Sequence, residues 1–209
     1  MTKAVFLDAL GTLVELEPPW VLLREKVPAE VSDKRLIAAV RAEIDYYKAH
    51  ADEGRDPESL ADLRQRCAEF LSGELGATVS AEELMASVRM GPHPDAEPAL
   101  RRLRERGLRL VVVSNWDCSL SGVLESCGLS HLVEGVFSSA EVGARKPDPA
   151  IFAPALELVD VQPSEAIHVG DTPEEDLEGA RAAGIRGLVI DRVGGRGDIS
   201  SLAEIEEHL

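Results

Sequence analysis

The sequence predicts an α/β fold, a mostly parallel sheet covered by helices on both faces and interrupted early in the chain by an all-helical segment. Three observations predict it. An apolar run at residues 3–8, KAVFLD, ends in an acid and turns at once through Gly11-Thr12. From Pro94 onward, short apolar runs alternate with helical patterns, which is the signature of βα units and hence of a parallel sheet. Between these regions, residues 16–90 carry only helical periodicity.

Taken in order, KAVFLD is a strand because it is short and rich in strand formers. After Pro18-Pro19 comes WVLLREKV, and then a helix in which Leu36, Ile37, Val40, Ile44 and Tyr47 share one face and Gly54 suits the stop. The stretch 57–76 repeats the design with Leu60, Leu63, Cys67, Phe70 and Leu71, and Ser80 with Glu83 forms a capping box for a third helix. The helix DAEPALRRLRE ends at Gly107. RLVVVSN, VEGVFSS, AIHVGD and GLVID then read as strands, with helices expected at 118–127, 148–159 and 174–183 between them. GGRGD at 194–198 is a surface loop before a final helix. Residues 16–90 thus read as a helical bundle without strands, inserted as a lid domain into a core made of residues 1–15 and 91–209.

A chain of 209 residues accommodates that core and its smaller insertion. The formal net charge of −16 opposes attachment to a phosphate backbone or an anionic bilayer, so neither nucleic acid nor a membrane is an expected partner. No apolar run approaches the roughly 20 residues that span a bilayer. The N-terminus lacks a secretory pattern, so the expected location is cytoplasmic. Cys67, Cys118 and Cys127 lack the spacing of a zinc site and read as free thiols. The composition says nothing about oligomeric state.

In parallel sheets, ligands sit beyond the carboxyl ends of the strands. Asp8, Ser114, Asn115 and Asp171 are expected there, with Lys146 in the loop GARKPDP. Two carboxylates converging on one rim repel each other unless a cation lies between them, and an all-oxygen pair suits Mg²⁺. Asp176 could orient a metal-bound water or Lys146 from behind. Taken singly, each residue also has an ordinary reading: Asp8 or Asp171 as a cap, Ser114 as a strand end, Lys146 as a solvated charge.

Their order is more telling. Asp-x-x-Gly-Thr at Asp8–Thr12, Ser114 with Asn115, Lys146-Pro147, and Gly-Asp-x-x-x-x-Asp at Gly170–Asp176 occur in succession. With these four motifs the chain resembles the haloacid dehalogenase superfamily of hydrolases, most of whose members are Mg²⁺-dependent phosphatases. The insertion directly after the first motif is similar to that family's first cap type, so the likeness covers nearly the whole chain. It implies a Rossmann-like core with a helical cap and a small phosphorylated substrate. It also implies that Asp8 is a nucleophile, that Asp8, the Leu10 carbonyl and Asp171 bind Mg²⁺, and that Ser114 and Lys146 serve the phosphoryl group. Gly11, Thr12, Asn115 and Trp116 are then expected to contact substrate.

Leu10 departs from the pattern. Phosphatases of this family carry a second Asp there, which protonates the leaving group and activates water; such help is worth roughly 10²- to 10⁴-fold. Three readings follow. A leaving group that needs no proton fits a phosphatase, with Glu15 or a cap carboxylate as a possible substitute acid. Asp-Ala-Leu-Gly-Thr is also close to the Asp-Ala-Tyr-Gly-Thr of metal-free 2-haloacid dehalogenases, though Asp171 opposes their anionic substrate. A non-catalytic Mg²⁺, anion or protein binder is the third. Phosphonoacetaldehyde hydrolysis would need a cap lysine, for which Lys26, Lys34 and Lys48 are available. Trp20, Tyr46, Tyr47 and His50 are candidates to line the cap; His93 and His168 have no visible metal partner, and His168, inside a strand, reads as a packing residue.

Overall fold

The first apolar run forms β1 (Ala4–Leu7), with all four side chains buried. Such complete burial needs cover on both faces. β4 (Arg109–Ser114) and β6 (Ala166–Gly170) flank β1, and β5 (Gly135–Ser138) and β7 (Arg186–Val189) close the edges, giving a parallel sheet of order β5-β4-β1-β6-β7. The structure is a computed structural model and describes residues 1–209.

The period of two along each strand divides the apolar residues between two cores. Val5, Leu7, Leu110 and Val112 face one, against Leu100 and Leu103 of α5 (Ala96–Glu105), Leu120 and Leu124 of α6 (Leu120–Ser126), and Leu202 and Ile205 near the C-terminus. Phe6, Val111 and Val113 face the other, against Ile151, Phe152 and Ala155, the last on α8 (Ala153–Val159), and Ala180 on α9 (Glu178–Ala182).

A third core lies in the helical segment. It is built by α1 (Pro19–Leu23), α2 (Asp33–His50), α3 (Pro57–Leu75) and α4 (Ala81–Ser87), with Leu36, Val40, Leu63, Leu71 and Leu84 among its buried residues. The Ser80–Glu83 capping box forms as its spacing predicts, and Asp56 caps α3 in the same manner with Ser59.

Three expectations need correction. The segment is not free of strands: β2 (Val14–Leu16) and β3 (Met90–Pro92) pair antiparallel where the chain leaves and re-enters the core. Three residues each are too few to show an alternating pattern. The helix expected at 174–183 begins as a five-residue π-helical turn, Pro173–Leu177, before α9. The one expected at 148–159 starts as a 3₁₀ turn at Pro149–Phe152. All three cysteines are free.

Candidate active site

The turn after β1 brings Asp8 to the carboxyl edge of the sheet, where it is 7% exposed. Gly11 adopts φ +81°, and a Cβ there would lie 2.0 Å from Asp171 Oδ2, so this glycine admits the second acid to the first turn. The Leu10 carbonyl takes no part in the main-chain hydrogen bonds of the turn, which run from Gly11, Thr12, Leu13 and Val14 to other acceptors.

Ser114, at the end of β4, donates to Asp8 Oδ1 at 2.9 Å, and Lys146 Nζ donates to the same oxygen at 2.5 Å. Lys146 is 2% exposed and donates equally closely to Asp176 Oδ1. A lysine buried so fully stays charged only because two carboxylates flank it. Burial pulls its pKa down, yet Asp8 and Asp176 outweigh this and raise it. Burial raises the Asp8 carboxyl to about 7; Lys146 opposes the rise, and Asp176 and Asp171 add to it. Asp176 is held well below the usual carboxylate range: burial works the other way, but Lys146 and His168 prevail.

His168 has a role that a packing residue inside a strand does not reveal. Its Nε2 lies 2.9 Å from Asp176 Oδ1. Burial depresses its pKa despite the carboxylate, so the neutral ring donates through Nε2 and its Nδ1 is left without a partner. The main-chain N–H of Thr172 donates to Asp176 Oδ2 at 2.9 Å, completing a cradle in which Asp176 fixes Lys146. A Cβ on Gly170 would stand 2.0 Å from Asp176 Cγ, so only glycine fits beneath it.

The other predicted contacts divide. Trp116 lines the cavity over Asp8 and is otherwise packed into the core. Asn115 also borders it, but its side chain is spent on the Lys146 loop: Oδ1 accepts from Lys146 N at 2.7 Å, and Nδ2 donates to Lys146 O at 3.0 Å and to Glu175 at 2.8 Å. Thr12 is fully buried, borders neither cavity, and leaves its hydroxyl without a partner; its carbonyl accepts from Arg192. Gly11 borders a neighbouring cavity without Asp8. Asn115 thus borders the cavity while its amide holds the loop at Lys146, and Thr12 and Gly11 do not border the cavity that contains Asp8.

Two cavities meet at Leu10 and Asp171. The one of 520 Å³ contains Asp8 and Ser114 and runs up between the core and the helical segment. The other, of 570 Å³, is lined by Glu15, His93, Arg192 and Arg196 and holds neither Asp8 nor Ser114. Of the aromatic candidates, Tyr47 lines the first cavity. Tyr46 stacks between His50 and Phe70, and Trp20 lies under Arg41. Of the lysines, Lys48 reaches this cavity and Lys26 and Lys34 do not. Glu15 stands in β2 and away from Asp8's cavity.

The helical segment is fastened over the site by contacts that no local sequence pattern signals. Tyr47 Oη donates to Asp117 Oδ2 at 2.8 Å, Cys118 N to Gly54 O at 2.8 Å, and Ser139 Oγ to Asp52. Arg145 pairs with Asp52 at 3.3 Å and donates to the Lys48 carbonyl.

The fold is a parallel α/β sheet that presents a buried carboxylate–lysine–carboxylate chain beneath a helical layer. The chain belongs to the haloacid dehalogenase-like hydrolases, whose family model matches residues 2–184. Over 101 residues it is 44% identical to a phosphoserine phosphatase of Thermus thermophilus, a match covering 48% of this chain and 41% of that protein. The chain thus spans about two fifths of the length of such curated relatives. Among solved structures, a HAD phosphatase from Thermococcus onnurineus superposes with TM-score 0.70 at 26% identity, covering 99% of this chain and 97% of that one. The L-2-haloacid dehalogenase from Xanthobacter autotrophicus gives TM-score 0.70 at 26% identity, covering 93% and 80%. No helix is long and apolar enough to cross a membrane.

Proposed function

We propose that the protein is a Mg²⁺-dependent phosphatase of small phosphorylated metabolites with good leaving groups, acting through an aspartyl-phosphate on Asp8. One observation carries this reading: Ser114 and Lys146 both bind Asp8 Oδ1, which leaves Oδ2 as the free oxygen at the edge of a 520 Å³ cavity. Attack by Oδ2 on phosphorus forms a P–O bond as the bond to the leaving group breaks. Water then attacks phosphorus, frees Asp8 and releases phosphate. Dividing one displacement into two lowers each barrier. Phosphoryl transfer depends chiefly on positioning and on charge at the equatorial oxygens. Ser114 and Lys146 supply donors there, and Asp176 keeps Lys146 in register.

The residues fit a divalent cation. Asp8, Asp171 and Asp176 bring oxygens within 4.8 Å of one another. Asp176 is engaged by Lys146, His168 and Thr172, so Asp8, Asp171 and the Leu10 carbonyl are the ones that would hold Mg²⁺, an all-oxygen set suited to a hard ion. Bound there, Mg²⁺ supplies charge stabilisation for the phosphoryl oxygens. Residues 16–90 act as the cap over a core of residues 1–15 and 91–209, in the cytoplasm.

Leu10 lines the cavity and brings no proton. Acyl, anhydride and aryl phosphates should therefore turn over far faster than alkyl esters. The test is a panel of p-nitrophenyl phosphate, acetyl phosphate, sugar phosphates and 2-haloacids with Mg²⁺ and with EDTA, Asp8→Asn serving as the blank. Mg²⁺-dependent phosphate release that vanishes in the variant is expected; equal rates on alkyl and nitrophenyl esters would contradict the role given to Leu10. The likeness to the Xanthobacter dehalogenase favours a second reading, metal-free attack of Asp8 on a haloacid. Three clustered carboxylates repel such a substrate. Halide release from 2-chloropropionate in EDTA would reverse the order of the two.

A further inference from the structure

We infer that the Asp8 cavity continues into an apolar pocket for an aromatic leaving group, so that the substrate is an aryl phosphate and not a phosphorylated sugar. This rests on the phosphatase reading and narrows it. Asp8 and Ser114 share their 520 Å³ cavity with Leu16, Ile44, Met85, Val88, Met90 and Val123. Leu16 stands in β2 and Met90 in β3, Ile44 on α2, Met85 on α4 with Val88 at its end, and Val123 on α6. Elements far apart in the chain thus bring apolar side chains to one space. Each of the six is half-buried, so part of its apolar surface is left to the cavity and not to a core. Covering that surface with an apolar group is favourable.

Much of the wall's polar capacity is already spent. Asp117 accepts from Ser119 N at 2.7 Å and Tyr47 Oη at 2.8 Å, and Asn115 holds the Lys146 loop. Arg145 pairs with Asp52, and Glu43 has the Cys67 thiol as its polar neighbour. The hydroxyls of a sugar would leave water for few partners there, which is costly. Lys48, which is exposed, and Arg64 also line the cavity, so an anionic substituent is the rival occupant.

Three features select a ring. Met85 and Met90 bring polarisable thioethers, which pack favourably against aromatic edges. Trp116, 6% exposed, adds an aromatic side chain to the same wall. Leu10 lines the cavity and carries no acid, so the leaving oxygen departs unprotonated, which a phenolate does far more readily than an alkoxide. Size agrees: a space of about 150 Å³ holds a benzene ring, so 520 Å³ takes a phosphoryl group together with a substituted ring.

The experiment measures kcat/KM with Mg²⁺ for phenyl, 4-methylphenyl, 4-ethylphenyl and 4-propylphenyl phosphate. Their phenols are nearly equal in acidity, so the series varies the fit and not the leaving group. Each added methylene should raise kcat/KM by about threefold to fourfold. The 4-(hydroxymethyl)phenyl ester should fall below its 4-ethyl isostere, and the 4-(carboxymethyl)phenyl ester below the 4-propyl one. Met85→Gln combined with Val88→Thr, its folding checked by thermal melting, should flatten the series. A flat series in the wild type, a polar or anionic ester that outruns its apolar counterpart, or a slope that the double variant keeps overturns the pocket and leaves the phosphatase reading standing. Failure to hydrolyse p-nitrophenyl phosphate overturns the phosphatase reading itself and this inference with it.

Discussion

Replacing Asp8 by asparagine should stabilise the metal-free protein, and the gain should grow with pH. The ionised carboxylate is buried 2.5 Å from Lys146, but it faces Asp176 and Asp171 as well, and the balance lifts its pKa from 3.8 to about 7. A raised carboxyl pKa contributes stability that is complete below the unfolded value and lost as pH climbs through the folded one. Each unit corresponds to about 1.4 kcal/mol, so the penalty builds from about pH 4, approaches roughly 4 kcal/mol near pH 7 and then levels off. Asparagine keeps the shape and an acceptor for Ser114 without the charge. For a chain of this length the gap corresponds to roughly 10 °C in Tm. The assay is a series of thermal melts of both proteins in EDTA between about pH 5 and pH 8. Added Mg²⁺ should raise the wild type more than the variant, since a ligand held by the native state alone stabilises it by mass action. A gap that is flat across this range, or an Asp8→Asn protein that melts lower at about pH 8, would refute the reasoning about the carboxylate cluster.

Leu10→Asp returns an acid to a cavity-lining position, so the rate on alkyl phosphates relative to p-nitrophenyl phosphate should rise by roughly 10²- to 10⁴-fold; an unchanged ratio would show that proton supply is not what limits the enzyme. Gly170→Ala drives a methyl to within 2.0 Å of Asp176 Cγ and must dislodge the carboxylate that holds Lys146, costing about 3 kcal/mol or more in urea unfolding. A loss below about 1 kcal/mol would show that the cradle yields. Tyr47→Phe removes the 2.8 Å bond to Asp117 and leaves a buried carboxylate oxygen short of a donor, so it should cost about 1–3 kcal/mol by the same measurement. Wild-type stability in that variant would mean that water takes over the contact.

Asp8, Ser114, Lys146, Asp171 and Asp176 were legible in the sequence for a topological reason. In a parallel sheet every strand ends on the same edge, so residues that close successive apolar runs must converge, whatever their separation; Asp8 and Ser114 meet across 106 positions. What stayed hidden was how each side chain spends its hydrogen bonds. Asn115 next to Ser114 looks like a ligand for substrate, and its amide in fact holds the Lys146 loop, because both partners arrive from a loop 31 residues away. His168 looks like packing until the π-helical turn at Pro173–Leu177 swings Asp176 under the sheet. Glu43 left a trace that periodicity could have found. It falls on the face defined by Leu36, Val40 and Tyr47, the face that packs inward, where a solvated glutamate has no place. At that core position the fold supplies the Cys67 thiol as its polar neighbour.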